Sequence, residues 1–467
     1  MSLKRQKDKC VDIYKCPELD LDFWVKQQPY QLPRTEMTLG DLHGNAIKLL
    51  YSLTRHGIIT NMTPIHYASL VRIYRLSADQ LTRQDIVCFN EIINGLKFNK
   101  SCLIRLLGDD LADRGSNDYF TLKIIGKLID EKVPIEILLS NHSIDFIYAY
   151  ENVKKREERH SWFEWPSFSS FSRLLSSTIP SRQAADINSK FILPDPRDLP
   201  PNNIQQRQIK FLPKVLEKKF HHADSLVSLH HLIRKNIVSK NVVENIYKKY
   251  QRVLKAISYN IDKDRNSIVI FSHAPIDLKQ IERICLQLNI IYQDNTIQHL
   301  AKSIDRINQK ISMYAKIDQL AIVFPSEEAR IAYEEDCRFL SPLTKLLWNR
   351  STDELSTASR ESRCRNYAVK FAHGHAIEIG SSRHRINMDN TLGKKYVDVR
   401  PYQVEENNVG EYSVLFGDHF NKKKLSNRRV ARSQFFDHQS NIDHYRNKHH
   451  LSCRAESAPH RERIRYK

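Results

Sequence analysis

The chain has 467 residues, 41% of them hydrophobic, which is enough for a sizeable core and excludes a wholly disordered protein. Its net charge of +19 favours anionic partners: nucleic acid, an acidic membrane surface or phosphorylated substrates. No apolar run reaches the ~18 residues of a transmembrane helix, and the basic N-terminus lacks the apolar stretch of a secretory signal. The eight cysteines are scattered, without a C-x-x-C pair, so neither a zinc knuckle nor a dithiol redox motif is expected. A soluble, cytoplasmic protein without a disulfide framework follows as the expectation.

Residues 1–34 read as a lead-in. Thr35–Leu39 is a short strand, followed by GDLHG and the helical NAIKLLYSLTRHG. Helix continues through Tyr67–Arg83 and Asp85–Leu96. Ser101–Leu107 is an apolar strand ending in GDDLADRG, Asp118–Val133 has helical spacing, and Pro134–Leu139 is a strand ending at Ser140-Asn141-His142. Beyond Tyr150 the chain is charged and aromatic, then rich in Ser and Pro to Asn203. Ser225–Tyr259 reads as helix, Ser267–His273 as strand and Asp277–Asp318 as mostly helix. Strands return at Tyr367–His373, Arg385–Met388, Tyr396–Val399 and Glu411–Phe416. The last 47 residues, from Asn421, hold 13 Lys/Arg against 4 Asp/Glu and have little periodicity.

Alternating strand and helix implies α/β layers, and in such sheets ligands bind where strands end. Each strand end here carries metal-ligand chemistry. The first gives Asp41 and His43, one residue apart; the second Asp109, with Asp113 and Arg114 beyond it; the third Asn141 and His142; the fourth His273; the fifth His373 and His375. Oxygen and imidazole donors without a thiol suit Mn, Fe or Zn. Two metals about 3.5–4 Å apart share a ligand, and Asp109 is the natural carboxylate bridge. One metal takes Asp41, His43 and a late histidine; the other takes Asn141, His273 and His375 or its neighbour. An activated hydroxide then attacks phosphorus in line. His142 is placed to protonate the leaving group, Asp113 to hold its tautomer, and Arg114 to clamp phosphate oxygens.

The series GDLHG, GDDLADRG, SNHS, SHAP and HGHA resembles, in order, the motifs of the phosphoprotein phosphatase family of calcineurin-like metallophosphoesterases. SPLTKLLWNR (Ser341–Arg350) and RINMDNTLGK (Arg385–Lys394) resemble two further segments of that family. The resemblance implies a four-layer α/β/β/α sandwich over 35–420, with helical insertions at about 151–265 and 277–340 and a basic tail over 421–467. It also implies two divalent metal ions, Mn²⁺ first with Fe or Zn as alternatives, and hydrolysis of phosphoserine, phosphothreonine or phosphotyrosine. His375 is preferred over His373 because it follows Gly as in the family's motif. The pattern departs at the extra residue of GDDLADRG, which brings Asp110 beside Asp109, and at Ser140 and Ser143, where the family has Gly and an acidic residue. These departures are similar to those of phosphatases that intracellular bacteria deliver into host cells.

Each motif alone has a plainer reading. A Gly-Asp turn is commonly structural, Asp113–Arg114 is a surface ion pair, and His273 is a satisfied core histidine. Five motifs in order at strand ends outweigh those readings. Arg350, two residues after Trp348, is a candidate phosphate ligand beside the commoner reading of a solvated or cation–π partner. The competing functions are a nucleotide phosphohydrolase or phosphodiesterase on the same centre, and a binding module on a decayed phosphatase fold. The basic tail is either solvated disorder or a contact for an acidic surface.

Overall fold

The computed structural model describes residues 12–22, 24, 35–151, 193, 197, 224–262, 266–324, 340–350, 366–376, 381, 384–397, 404–407 and 409–417. The expected basic tail and nearly all of 152–223 lie outside the described residues.

Parallel pairing needs a crossover between strands, and the alternating segments supply it. β2 (Glu36–Leu39), β3 (Leu103–Leu106), β4 (Ile135–Leu138) and the two-residue β5 (Leu254–Lys255) lie parallel in sequence order. The helices between them are α1 (Ala46–Arg55), α2 (Pro64–Arg75), α3 (Arg83–Asn94), α4 (Asp118–Asp130), α5 (Asn141–Glu151), α6 (Asp224–Arg234) and α7 (Lys240–Tyr250). β1 (Asp12–Asp20) and β12 (Val409–Gly417) extend the sheet to six strands, in the order β1-β12-β2-β3-β4-β5. β12 is antiparallel to both neighbours, with Val414 opposite Leu39 on one side and Tyr14 on the other.

A second sheet has the order β6-β7-β8-β9: β6 (Ser258–Asp262), β7 (Ser267–Ser272), β8 (Ala368–His373) and β9 (Arg385–Asn387). α8 (Leu278–Gln287), α9 (Ile297–Lys316), α10 (Leu320–Val323) and α11 (Pro342–Trp348) connect β7 to β8. A two-stranded ribbon pairs β10 (Lys394–Val397) with β11 (Val404–Asn407). β7 is buried at every position, as a strand covered on both faces must be.

Among the described residues, two apolar clusters form the core. The larger lies among the helices and the sheet faces they cover; α1 is buried from Ala46 to Thr54. The smaller gathers Leu107, just past the end of β3, and Leu138 and Leu415 of the first sheet with Val269, Phe271, Ala372 and Ile386 from the second. Arg105 of β3 belongs to the same contact. Its guanidinium lies 4.1 Å from the Phe271 ring centre and donates to Glu36, Thr38, Glu136 and Ser258. Mixed α/β layering is therefore as expected.

Three expectations change. The lead-in contains β1. The helix expected over Tyr67–Arg83 ends at Arg75, and the one expected over Ser225–Tyr259 ends at Tyr250, because the chain turns there into β5 and then β6. A period-3.6 pattern in the preceding helix masks strands this short.

Candidate active site

The ends of β2, β3, β4, β7 and β8 meet, and backbone bonds lock their loops together. Leu42 N–H donates to Gly108 O at 3.2 Å and Gly44 N–H to Asp109 O at 2.7 Å. The Asp113 carbonyl accepts both the backbone N–H and the hydroxyl of Ser225, at 3.0 and 2.9 Å. Asp118 accepts the Ala112 N–H with both carboxylate oxygens, holding the GDDLADRG loop against the start of α4. His43, Asp109 and His375 all take left-handed backbone angles, with φ of 58°, 50° and 61°. Non-glycine residues rarely sit there, and such strain concentrates at functional sites.

Side chains converge on this point. His273 Nδ1 donates to Leu107 O at 2.9 Å, so its neutral ring aims the Nε2 lone pair at Asn141 Oδ1, 2.8 Å away, and Asp109 Oδ1, 3.5 Å away. Burial keeps that ring neutral by pushing its pKa down. His43 is held at both ring nitrogens: Nε2 donates to Asn390 O, and Nδ1 makes a 3.2 Å hydrogen-bonding contact with Asp113 Oδ2. Lone pairs facing oxygens repel unless a cation lies between them. Asp41 Oδ2 accepts the His375 N–H at 2.9 Å. Asp41 Oδ1, Asp109 Oδ1 and Asp113 Oδ1 are buried and accept no hydrogen bond. Burial, with the Asp389 and Asp109 carboxylates, raises the Asp41 pKa well above the usual range. Orphaned carboxylate oxygens, crowded negative charge and imidazole lone pairs are what a divalent cation neutralises, so these residues fit one.

Among the described residues, two sets of three satisfy ligand spacing, with donor atoms within 4.8 Å of one another: His43–Asp109–Asp113 and Asp109–His273–His375. Asp109 is in both. Asn141 reaches the second set through His273, and Asp41 borders it through His375. His373, the alternative last ligand, is buried and turned to Gly374 O; burial pushes its pKa down to about 4. Asp113, expected to hold the His142 tautomer, lies beside that ring. It stands between His43 at 3.2 Å and His142 at 3.5 Å.

His142 sits in the first turn of α5, with Nδ1 3.1 Å from Ala112 O and Nε2 facing Asp113 Oδ1. Both ring nitrogens face acceptors, which suits the doubly protonated imidazolium. Burial opposes that charge, but the carboxylates of Asp113, Asp109 and Asp145 outweigh it and raise the pKa. The Asp113 carboxyl is held well below the usual range, since His142, His43 and Arg114 overcome its burial. Half-buried Arg114 thus acts electrostatically on both. Arg350 is exposed and donates Nε–H to His375 Nε2 at 3.3 Å, placing its guanidinium at the site.

A family model described as the WipA-like phosphatase domain matches residues 103–190 and 202–394, more than half of the chain. The chain belongs to the WipA-like phosphatase family. The crystal structure of the phosphatase domain from the Legionella effector WipB is similar to it at 28% identity and a TM-score of 0.54, over 73% of this chain and 100% of that one. The chain matches no curated protein. In this WipA-like phosphatase the matched segments carry Asp109, Asp113, Asn141, His142, His273 and His375; Asp41 and His43 precede them.

The motif reading missed the supports of the site. Ser140 and Ser143, which depart from the resembled motif, bond to each other: Ser143 N–H donates to Ser140 Oγ at 3.1 Å and Ser140 N–H to Ser143 Oγ at 2.8 Å. Ser225 carried no local signal, because its partner is distant in sequence; Asn390 lies in the segment Arg385–Lys394 already singled out, but nothing there points to its bond with His43. Lys48 carried no signal either, because α1 also holds Ser52, Thr54 and Arg55 and reads as an ordinary amphipathic helix.

Proposed function

We propose that this WipA-like phosphatase is a metal-dependent phosphomonoesterase acting on phosphoproteins, with two divalent ions that share Asp109. The observation that supports this reading best is the membership of Asp109 in both ligand-spaced sets. Asp41, His43, Asn141, His273 and His375 complete the donor set, with Asp113 beside His43. Mn²⁺ is the first choice of ion, and Fe or Zn suits the same donors. When bound, such ions acidify water and offset the charge of a phosphate.

The chain's own residues do the rest. His142, doubly protonated, donates a proton to the leaving oxygen of the ester. Asp113 orients that ring and stabilises its charge. Arg114 and Arg350 offer guanidinium forks to the phosphate oxygens. The apolar cluster between the two sheets, with helices beyond them, supports a four-layer calcineurin-like sandwich. Likeness to the WipB phosphatase domain supports delivery of this chain into a host cell as an effector. The basic tail adds a contact for an acidic surface there.

The test is hydrolysis of p-nitrophenyl phosphate with and without Mn²⁺, beside Asp109→Asn, followed by phosphotyrosine peptides, phosphoserine/threonine peptides and a diadenosine polyphosphate. Metal-dependent turnover that Asp109→Asn loses, with peptides preferred, is expected. Folded protein inactive with every divalent ion defeats the proposal. Preference for the dinucleotide replaces it with a nucleotide phosphohydrolase.

A further inference from the structure

Lys48 is an anomaly of packing. It lies in α1, where every residue from Ala46 to Thr54 is buried, and only 2% of its own surface is exposed. A buried lysine is costly unless each of its donors finds a partner. All three do. Its Nζ donates to Asp41 O, to Asn390 Oδ1 at 2.7 Å and to Leu392 O at 2.8 Å. An ammonium has three donors and no acceptor, so this set saturates it.

The three acceptors lie on two loops. One is the Asp41 loop after β2. The other is the 388–393 loop after β9, and Lys48 is not its only tie to the first. Asn45, the N-cap of α1, accepts the Lys48 N–H and donates its amide to Gly393 O at 3.1 Å. His43 Nε2 donates to Asn390 O. Gly40 packs so closely on Met388 O that a Cβ there would lie 1.9 Å from it. Asn390 therefore serves two neighbours at once. Its side chain holds Lys48, and its carbonyl fixes the His43 ring, turning Nδ1 toward Asp113.

We infer that Lys48 is a positioning residue for the metal-binding face: by cross-linking the Asp41 carbonyl to Asn390 and Leu392, it sets the places of Asp41 and His43 together. The inference rests on the two-metal reading above and deepens it. Lys48 touches neither substrate nor the reacting atoms; it acts through two residues that do bind. Hydrogen-bond partners of ligands commonly carry 10–100-fold of metal affinity.

The experiment is calorimetric titration of the full chain with Mn²⁺, for the unaltered protein, Lys48→Met, Asn390→Ala and the double variant, with circular dichroism confirming folding. The expected result is a loss of roughly tenfold or more in Mn²⁺ affinity in each single variant, with the double variant scarcely worse than Lys48→Met, since the two act as one link. Phosphatase kinetics at saturating Mn²⁺ should show kcat recovering toward that of the unaltered protein with KM unchanged. Should Lys48→Met not fold, Asn390→Ala, which keeps the carbonyl on His43 and removes one Lys48 acceptor with the amide's bond to Met388 O, carries the test alone. Unchanged Mn²⁺ affinity in a folded single variant overturns the inference and leaves the two-metal reading standing. Absence of Mn²⁺ binding by the unaltered protein overturns that reading, and the inference with it.

Discussion

Ser140 Oγ accepts the backbone N–H of Asp109 at 3.0 Å, and so fixes the residue shared by both ligand sets. The same oxygen accepts the Ser143 N–H at the start of α5, next to Asn141 and His142. The exchange of Gly and an acidic residue for two serines, which reads in the sequence as loss of the family motif, is in the structure a clasp. Ser140→Ala leaves two fully buried N–H groups without their acceptor. An expected cost of about 1–3 kcal/mol follows, together with a fall in turnover of roughly tenfold. Thermal unfolding and Mn²⁺-supported phosphatase assays read the two effects; a variant equal to the parent in both would remove the clasp from the account.

His142 and Asp113 make a prediction about pH. The carboxylates around His142 raise its pKa against burial, so the imidazolium persists to higher pH than an ordinary histidine's. A proton donor is competent while protonated, so activity should fall as pH rises through that raised pKa. Asp113→Asn removes the strongest raising influence and should move this alkaline limb to lower pH. His142→Ala should reduce kcat by about 10²–10⁴-fold and abolish the limb. A pH–rate profile of kcat for the three proteins decides it; an alkaline limb unmoved in Asp113→Asn would assign the proton donor elsewhere.

How much of this was legible follows from which contacts are local. Asp41, Asp109, Asn141, His273 and His375 each follow a strand that sequence periodicity marks, and parallel strands bring such ends to one edge. Position after a strand was therefore enough to predict that they meet. Ser225 on the Asp113 carbonyl and Asn390 on His43 cross 112 and 347 residues, and nothing in their own neighbourhoods announces the partner. The strand read over Glu411–Phe416 is β12, but its partner β1 escaped for the same reason: an antiparallel pairing between segments from opposite ends of the chain has no spacing to read. The dual attachment of Asp113 was hidden because a motif gives residue types, while the side on which a carboxylate settles depends on both histidines around it.

Gly374 tests how tightly the last histidine loop must pack. A Cβ on Gly374 would lie 1.8 Å from Asp41 Oδ1, far inside contact distance. Gly374→Ala must push Asp41 aside or lift the loop that carries the His375 N–H bonded to it. The expected outcome is folded protein with turnover reduced by at least about 10²-fold, since small displacements of positioned groups are that costly. Circular dichroism and a phosphatase assay check it. Full activity in Gly374→Ala would mean that Asp41 is not needed where it stands.

Arg105 tests the contact between the sheets and should act on stability alone. Its side chain is 1% exposed, with Glu36 at 11% and Glu136 at 25%, and it lies across the Phe271 ring. Removing one partner of a buried ionic group leaves the others uncompensated, at about 3–5 kcal/mol, and the partial exposure of Glu136 brings the expectation to the lower end. Arg105→Met should therefore lose about 3 kcal/mol in denaturant unfolding, with metal-supported turnover per folded molecule near that of the parent. Adding Glu36→Gln removes one stranded carboxylate and should return part of the loss. A loss below about 1 kcal/mol would mean that water reaches the carboxylates once the guanidinium is gone, and that Phe271 and its apolar neighbours hold the sheets together unaided.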